Sequence, residues 1–97
     1  MATFVILINW TEQGIKTYRD TTARADAANG VAAKFGGRMV SIWWTNGPYD
    51  LVAVSEFPDA ESATAFGLVL GAAGNIRTTT MRAFGADDIS AIIARTG

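Results

Sequence analysis

The chain of 97 residues contains no cysteine and no histidine. Disulfide frameworks, structural zinc sites, thiol catalysis and Ser-His triads are excluded together. No metal site and no cofactor is expected. Charge is also scarce: charged residues make up 18%, with eight basic against nine acidic and a formal net charge of −1. The pI is near 5.1. That balance argues against non-specific binding to nucleic acid and against an amphipathic membrane-surface helix. No apolar run approaches the ~20 residues of a membrane-crossing helix. The start has no basic leader, and Phe4 to Ile8 is too short for a secretory core, so a cytoplasmic location is expected.

Apolar residues are plentiful, at 49%, with a mean hydropathy of +0.20. This balance is opposite to that of a disordered chain. From the size scaling, the unfolded chain exposes roughly 15,000 Å² and a compact monomer roughly 5,300 Å². That is enough for one core, and residues 1–97 read as one domain.

Thr3 to Trp10, rich in β-branched and aromatic residues, predicts a strand. A short helical turn over Ile15 to Asp20 follows the break at Gly14. The Asp20-Thr21-Thr22 cluster supplies oxygens to open a longer helix, and Gly36-Gly37 closes it. Ala28, Val31 and Phe35 give this helix its buried stripe, which meets Arg24 one turn earlier. Gly30, inside the helix, suggests close packing. Arg38 to Thr45 and Tyr49 to Phe57 form a hairpin across Asn46-Gly47-Pro48. Pro58-Asp59 opens a second helix with the face Ala63, Phe66, Leu70. Asn75 to Phe84 is the fourth strand, and Gly85 to Arg95 a terminal helix. The β-α-β-β-α-β order predicts an α+β, ferredoxin-like fold with an antiparallel sheet in the order 4-1-3-2.

The strands are apolar on both sides. Phe4, Ile6 and Ile8 oppose Val5 and Leu7; Leu51 and Ala53 oppose Val52 and Val54; Val40, Ile42 and Trp44 oppose Met39 and Trp43. Two helices of ~10 Å diameter cover one face of four strands at ~4.8 Å spacing, and no more. Pairing two such faces would hide about 1,000 Å², near the lower bound of a specific interface. A homodimer with sheet packed on sheet is therefore expected. The alternative is a monomer whose terminal helix folds across the second face.

Gly47-Pro48-Tyr49-Asp50, followed by Leu-Val-Ala-Val, Glu56 and Pro58-Asp59, resembles the motif of the GYD-domain family of small bacterial and archaeal proteins. Trp10-Thr11 with Gln13-Gly14, Gly71 with Gly74-Asn75, and Arg77 through Phe84 extend the similarity over nearly the whole chain. The resemblance implies a subunit of the dimeric α/β-barrel kind. It implies no reaction, because that superfamily spans isomerases, cofactor-free monooxygenases, ligand sensors and members with no assigned role.

Candidate site residues each admit two readings. Asp50 could act as a general base with Tyr49 as a hydrogen-bond donor, or accept backbone N–H groups in the turn. One of Arg77 and Arg82, with Arg77 the candidate ligand residue, could bind an anionic ligand, or could form a structural ion pair with Glu56 or with a partner subunit. Trp43 is the candidate aromatic wall of a ligand pocket, whereas Trp44 and Trp10 are candidates for a subunit interface. The leading expectation is a homodimer, open to higher assembly through its edge strands, that binds a small organic molecule. A cofactor-independent isomerase or monooxygenase and a purely structural oligomerisation module are the alternatives.

Overall fold

β-Branched and aromatic runs become strands, and alanine-rich runs bounded by glycine become helices. The computed structural model describes all 97 residues. In chain order it comprises β1 (Ala2–Trp10), α1 (Glu12–Lys16), a 3₁₀ turn (Tyr18–Asp20), α2 (Thr21–Lys34), β2 (Arg38–Trp44), β3 (Leu51–Phe57), α3 (Ala60–Ala72), β4 (Ile76–Ala83) and α4 (Ala86–Ala94). The four strands form one antiparallel sheet in the order β2-β3-β1-β4, which is the expected topology.

Local capping differs from the sequence expectation at two helices. No side chain caps α2; the 3₁₀ turn runs directly into it, and the Thr21 N–H donates to the Tyr18 carbonyl. The short first helix begins earlier than expected, because Thr11 accepts from the Gly14 N–H at 3.1 Å and so acts as its N-cap. At α3 the expected cap forms: Asp59 accepts from the Ser62 N–H at 2.7 Å. The Ser62 contacts hold the Asp59 carboxyl below its ordinary value of 3.8. Gly85 has no side chain to cap α4, and the Asp88 carboxylate accepts its N–H at 3.1 Å instead. Gly36, with φ +75°, ends α2 in the left-handed conformation that glycine adopts freely. Gly30 meets nothing within 4 Å of where a Cβ would sit, so the close packing expected there is absent.

The core lies between the sheet and the helix pair α2/α3. It holds Phe4, Ile6 and Ile8 from β1, Leu51, Ala53 and Phe57 from β3, and Ala32, Ala63 and Phe66 from the helices. Phe57 packs against both Phe4 and Phe66, with ring centroids 6.3 and 5.1 Å away. Ser55 is buried among them, and its hydroxyl donates to the Phe4 carbonyl at 3.3 Å.

The second face of the sheet carries no helix. Strand register sets Trp43, Val52, Leu7 and Thr79 side by side in one row and Ser41, Val54, Val5 and Met81 in the next. Trp43 is 65% exposed and Met81 43%. Met39 is not on this face, contrary to the alternation read from the sequence. A bulge between Met39 and Ser41 inserts Val40 and brings Met39 onto the helix side with Ile42 and Trp44.

No residue of α4 is buried, and Ile93 on its apolar side is 60% exposed. The chain is correspondingly extended. Its radius of gyration is 14.5 Å, against about 12.5 Å for a compact domain of this length. Its accessible surface is 6176 Å², against about 5,300 Å² from the size scaling.

Candidate functional site

A cavity of about 250 Å³ opens between α2, α3 and the end of the sheet where β1 finishes. It exists because α2 leans on β2 while α3 leans on β3 and β4, and small residues face the space between them. Of its 18 lining residues 15 are hydrophobic, including Ile8, Trp10, Ile42, Leu51 and Leu70. The three polar ones are Thr21, Arg24 and Asn75, so the wall carries one cation and no carboxylate. That composition suits an apolar molecule oriented by a few polar groups.

The end of the cavity is tied by residues far apart in sequence. The Thr11 N–H donates to the Asn75 carbonyl at 3.0 Å, and the Thr11 hydroxyl to the Gly74 carbonyl at 2.5 Å. Gln13 Nε2 donates to the Ala73 carbonyl at 3.2 Å and to Asn75 Oδ1 at 2.9 Å. Gly14 is buried so close to Asn75 that a Cβ there would sit 1.9 Å from the Asn75 carbonyl oxygen. The Thr11–Gly14 and Gly74–Asn75 segments are thus two halves of one clasp.

Asp50 has a comparable task. Its carboxylate Oδ2 accepts the Trp10 N–H at 2.8 Å, and its own N–H donates to the Ile8 carbonyl at 2.9 Å. It extends the β1–β3 ladder past the last paired residues. Tyr49 contributes its carbonyl, which accepts from the Thr45 hydroxyl at 2.6 Å. Neither Tyr49 nor Asp50 lines the cavity. Replacing Asp50 by alanine leaves the Trp10 N–H unpaired, a loss of about 1–3 kcal/mol. Asp50→Asn keeps an acceptor oxygen, so most of that loss should not appear in a urea titration. Equal destabilisation by the two variants would refute this role.

The remaining sequence candidates are dispersed. Arg77 lies beside a shallow groove between α3 and β4, with Thr78 and Thr80, and not at the cavity. Arg77 and Arg82 sit opposite Asn9 and Phe4 and so face opposite sides of β4. Glu56 pairs with neither: Arg38 Nη2 meets its Oε1 at 2.5 Å, because register places Arg38 directly opposite Glu56. Arg82 instead stacks over Phe84, 4.4 Å from the ring centroid. Trp43 stands on the open sheet face, away from the cavity, and Trp10 stands in the cavity wall. These are the reverse of the sides expected for them. Trp44 lies on the helix side, where its indole N–H donates to Thr21 Oγ1 at 2.9 Å. Arg24 is the site residue that sequence reasoning passed over; the only signal was a cation interrupting the apolar line of α2.

No group of three or more metal-ligating acidic side chains is close enough to hold an ion. No helix is long and apolar enough to cross a membrane.

Comparison with known proteins bears on the whole chain. The "Glutamine synthetase and cystathionine beta-lyase binding protein" of Thermus thermophilus is 33% identical over 92 residues, covering 94% of this chain and 97% of that protein. The crystal structure of TTHA0845, also from Thermus thermophilus, superposes with a TM-score of 0.57 at 25% identity, covering 89% of this chain and 96% of that one. The profile of the GYD domain matches residues 4–93, which hold both halves of the clasp and Asp50. The chain belongs to the GYD domain family.

Proposed function

We propose that the protein is a cytoplasmic homodimeric binding module that holds a small organic molecule in the cavity between α2, α3 and the sheet. The observation that carries this reading is the cavity itself: about 250 Å³, apolar on 15 of 18 lining residues, with polar groups from α2 and from Asn75. The absence of a carboxylate from its wall favours binding over the cofactor-independent isomerase or monooxygenase reading, which needs a base beside the substrate. The open sheet face supports the dimer: a second copy would cover Val5, Leu7, Trp43, Val52, Val54 and Met81 in the dimeric α/β-barrel manner.

A thermal-shift screen of small metabolites tests the cavity. A ligand at a hundred times its Kd adds about 2.7 kcal/mol, which moves the melting midpoint by several degrees or more in a chain of this size. Ala28→Leu, which fills the cavity from α2, should abolish the shift. A screen in which no compound stabilises the wild type, or in which Ala28→Leu responds equally, overturns the reading. A second reading, favoured by the name of the Thermus relative, is that the partner is a metabolic enzyme. A flat screen would leave that protein-binding reading in place.

A further inference from the structure

Every polar side chain on the cavity wall has a hydrogen-bond donor to spare. Arg24, in the first turn of α2, is half-buried. Its Nη1 donates to Thr17 Oγ1 at 2.7 Å and its Nη2 to the Gly14 carbonyl at 3.2 Å. Both acceptors are neutral, and a guanidinium has five N–H donors, so three remain without a protein acceptor. The two ion pairs of the chain, Lys16–Glu12 and Arg38–Glu56, do not include it. Asn75 uses its Oδ1 to accept from Gln13, which leaves its Nδ2 unpaired. Thr21 Oγ1 accepts from the Trp44 indole, so the hydroxyl proton is free to be donated.

A cation partly withdrawn from water, with donors around it and no carboxylate in the wall or paired with it, favours an anionic guest. An ionised carboxylate is acceptor-only and matches a guanidinium in two parallel bonds. The site has one cation, so a singly charged head is neutralised, whereas a phosphate dianion would leave charge facing an apolar wall. The volume sets the body of the guest. A cavity of about 150 Å³ lined by aliphatic side chains takes a benzene ring. The 250 Å³ available here leaves room for that ring plus a short acidic arm.

Resting on the cavity reading above, we propose that the ligand is a small aromatic or aliphatic monocarboxylate. Its acid group meets Arg24 and its apolar body lies against Ile8, Ile42, Leu51 and Leu70.

Isothermal titration with phenylacetate and with phenylacetamide, its uncharged counterpart of nearly equal size, tests the proposal on the whole protein. The wild type should bind the acid at least tenfold more tightly than the amide. Arg24→Gln should bring the two affinities together, as loss of a charge-assisted pair requires. Arg24→Lys, which keeps the cation, should retain part of the preference. The wild-type ratio needs no variant, so it stands even if Arg24→Gln proves poorly folded. Equal affinity for acid and amide in the wild type, or a preference that survives Arg24→Gln, overturns the proposal and leaves the cavity reading intact. Binding of neither probe to the wild type counts against the cavity reading and removes this inference with it.

Discussion

Gly14→Ala is expected to cost about 3 kcal/mol or more. The added Cβ would lie 1.9 Å from the Asn75 carbonyl oxygen and 2.8 Å from its carbon, and both are backbone atoms that no rotamer change can move. Overpacking of this kind costs roughly 1–3 kcal/mol. Separating the two segments also weakens the Thr11 and Gln13 bonds to Gly74, Ala73 and Asn75, each worth about 0.5–1.5 kcal/mol. Against a total stability of about 5–15 kcal/mol, the variant should be marginal. Gly30→Ala is the matched control: the site is open and helical, so it should gain up to about 1 kcal/mol. Urea midpoints at one protein concentration measure both, with an unchanged slope expected for the control. A Gly14→Ala midpoint equal to wild type would show that the clasp does not hold the two segments together.

Leu7→Lys should convert a species of twice 10.3 kDa into one of 10.3 kDa in sedimentation at micromolar concentration. Leu7 sits on central strand β1, between Val52 and Thr79 on the face without helices. A charge there remains hydrated in an isolated subunit, so the far-ultraviolet circular dichroism should not change. In a two-fold assembly the substitution appears twice. Two lost leucine contacts remove about 4 kcal/mol together, roughly a thousandfold in Kd, before any charge is desolvated. Leu68→Lys is the control, because Leu68 is 70% exposed on α3, on the side of the sheet opposite the open face. A wild type that sediments at 10.3 kDa, or a Leu7→Lys protein that still pairs, would remove the dimer from the proposed function.

The strand order and the hairpin were legible because turn residues punctuate the chain sharply: Gly36-Gly37 and Pro58-Asp59 each separate a helical run from an extended one, and Asn46-Gly47-Pro48 divides two extended runs. The bulge at Val40 was not legible. Slipping a strand by one residue normally exposes an apolar side, but where both faces are apolar the pattern carries no such penalty to read. The partner of Glu56 was hidden for the same reason, since Arg38 becomes its neighbour only through that register. Asp50 illustrates a different limit. Its sequence context allowed a turn acceptor or a base, and only the Trp10 contact shows what its carboxylate is bonded to. Arg24 read as the fading end of a core stripe, because a helix face shows which residues point inward but not whether the space they meet is filled.

The sheet order has a consequence for synthesis. β1 lies between β3 and β4, so its nearest hydrogen-bonding partner in the sequence begins at Leu51 and the other at Ile76. Thr3 to Trp10 therefore leaves the ribosome greasy and unpaired, and stays so until β3 has been made. Its second edge is sealed only after β4 has followed, so until then the nascent strand stays open to pairing with other chains.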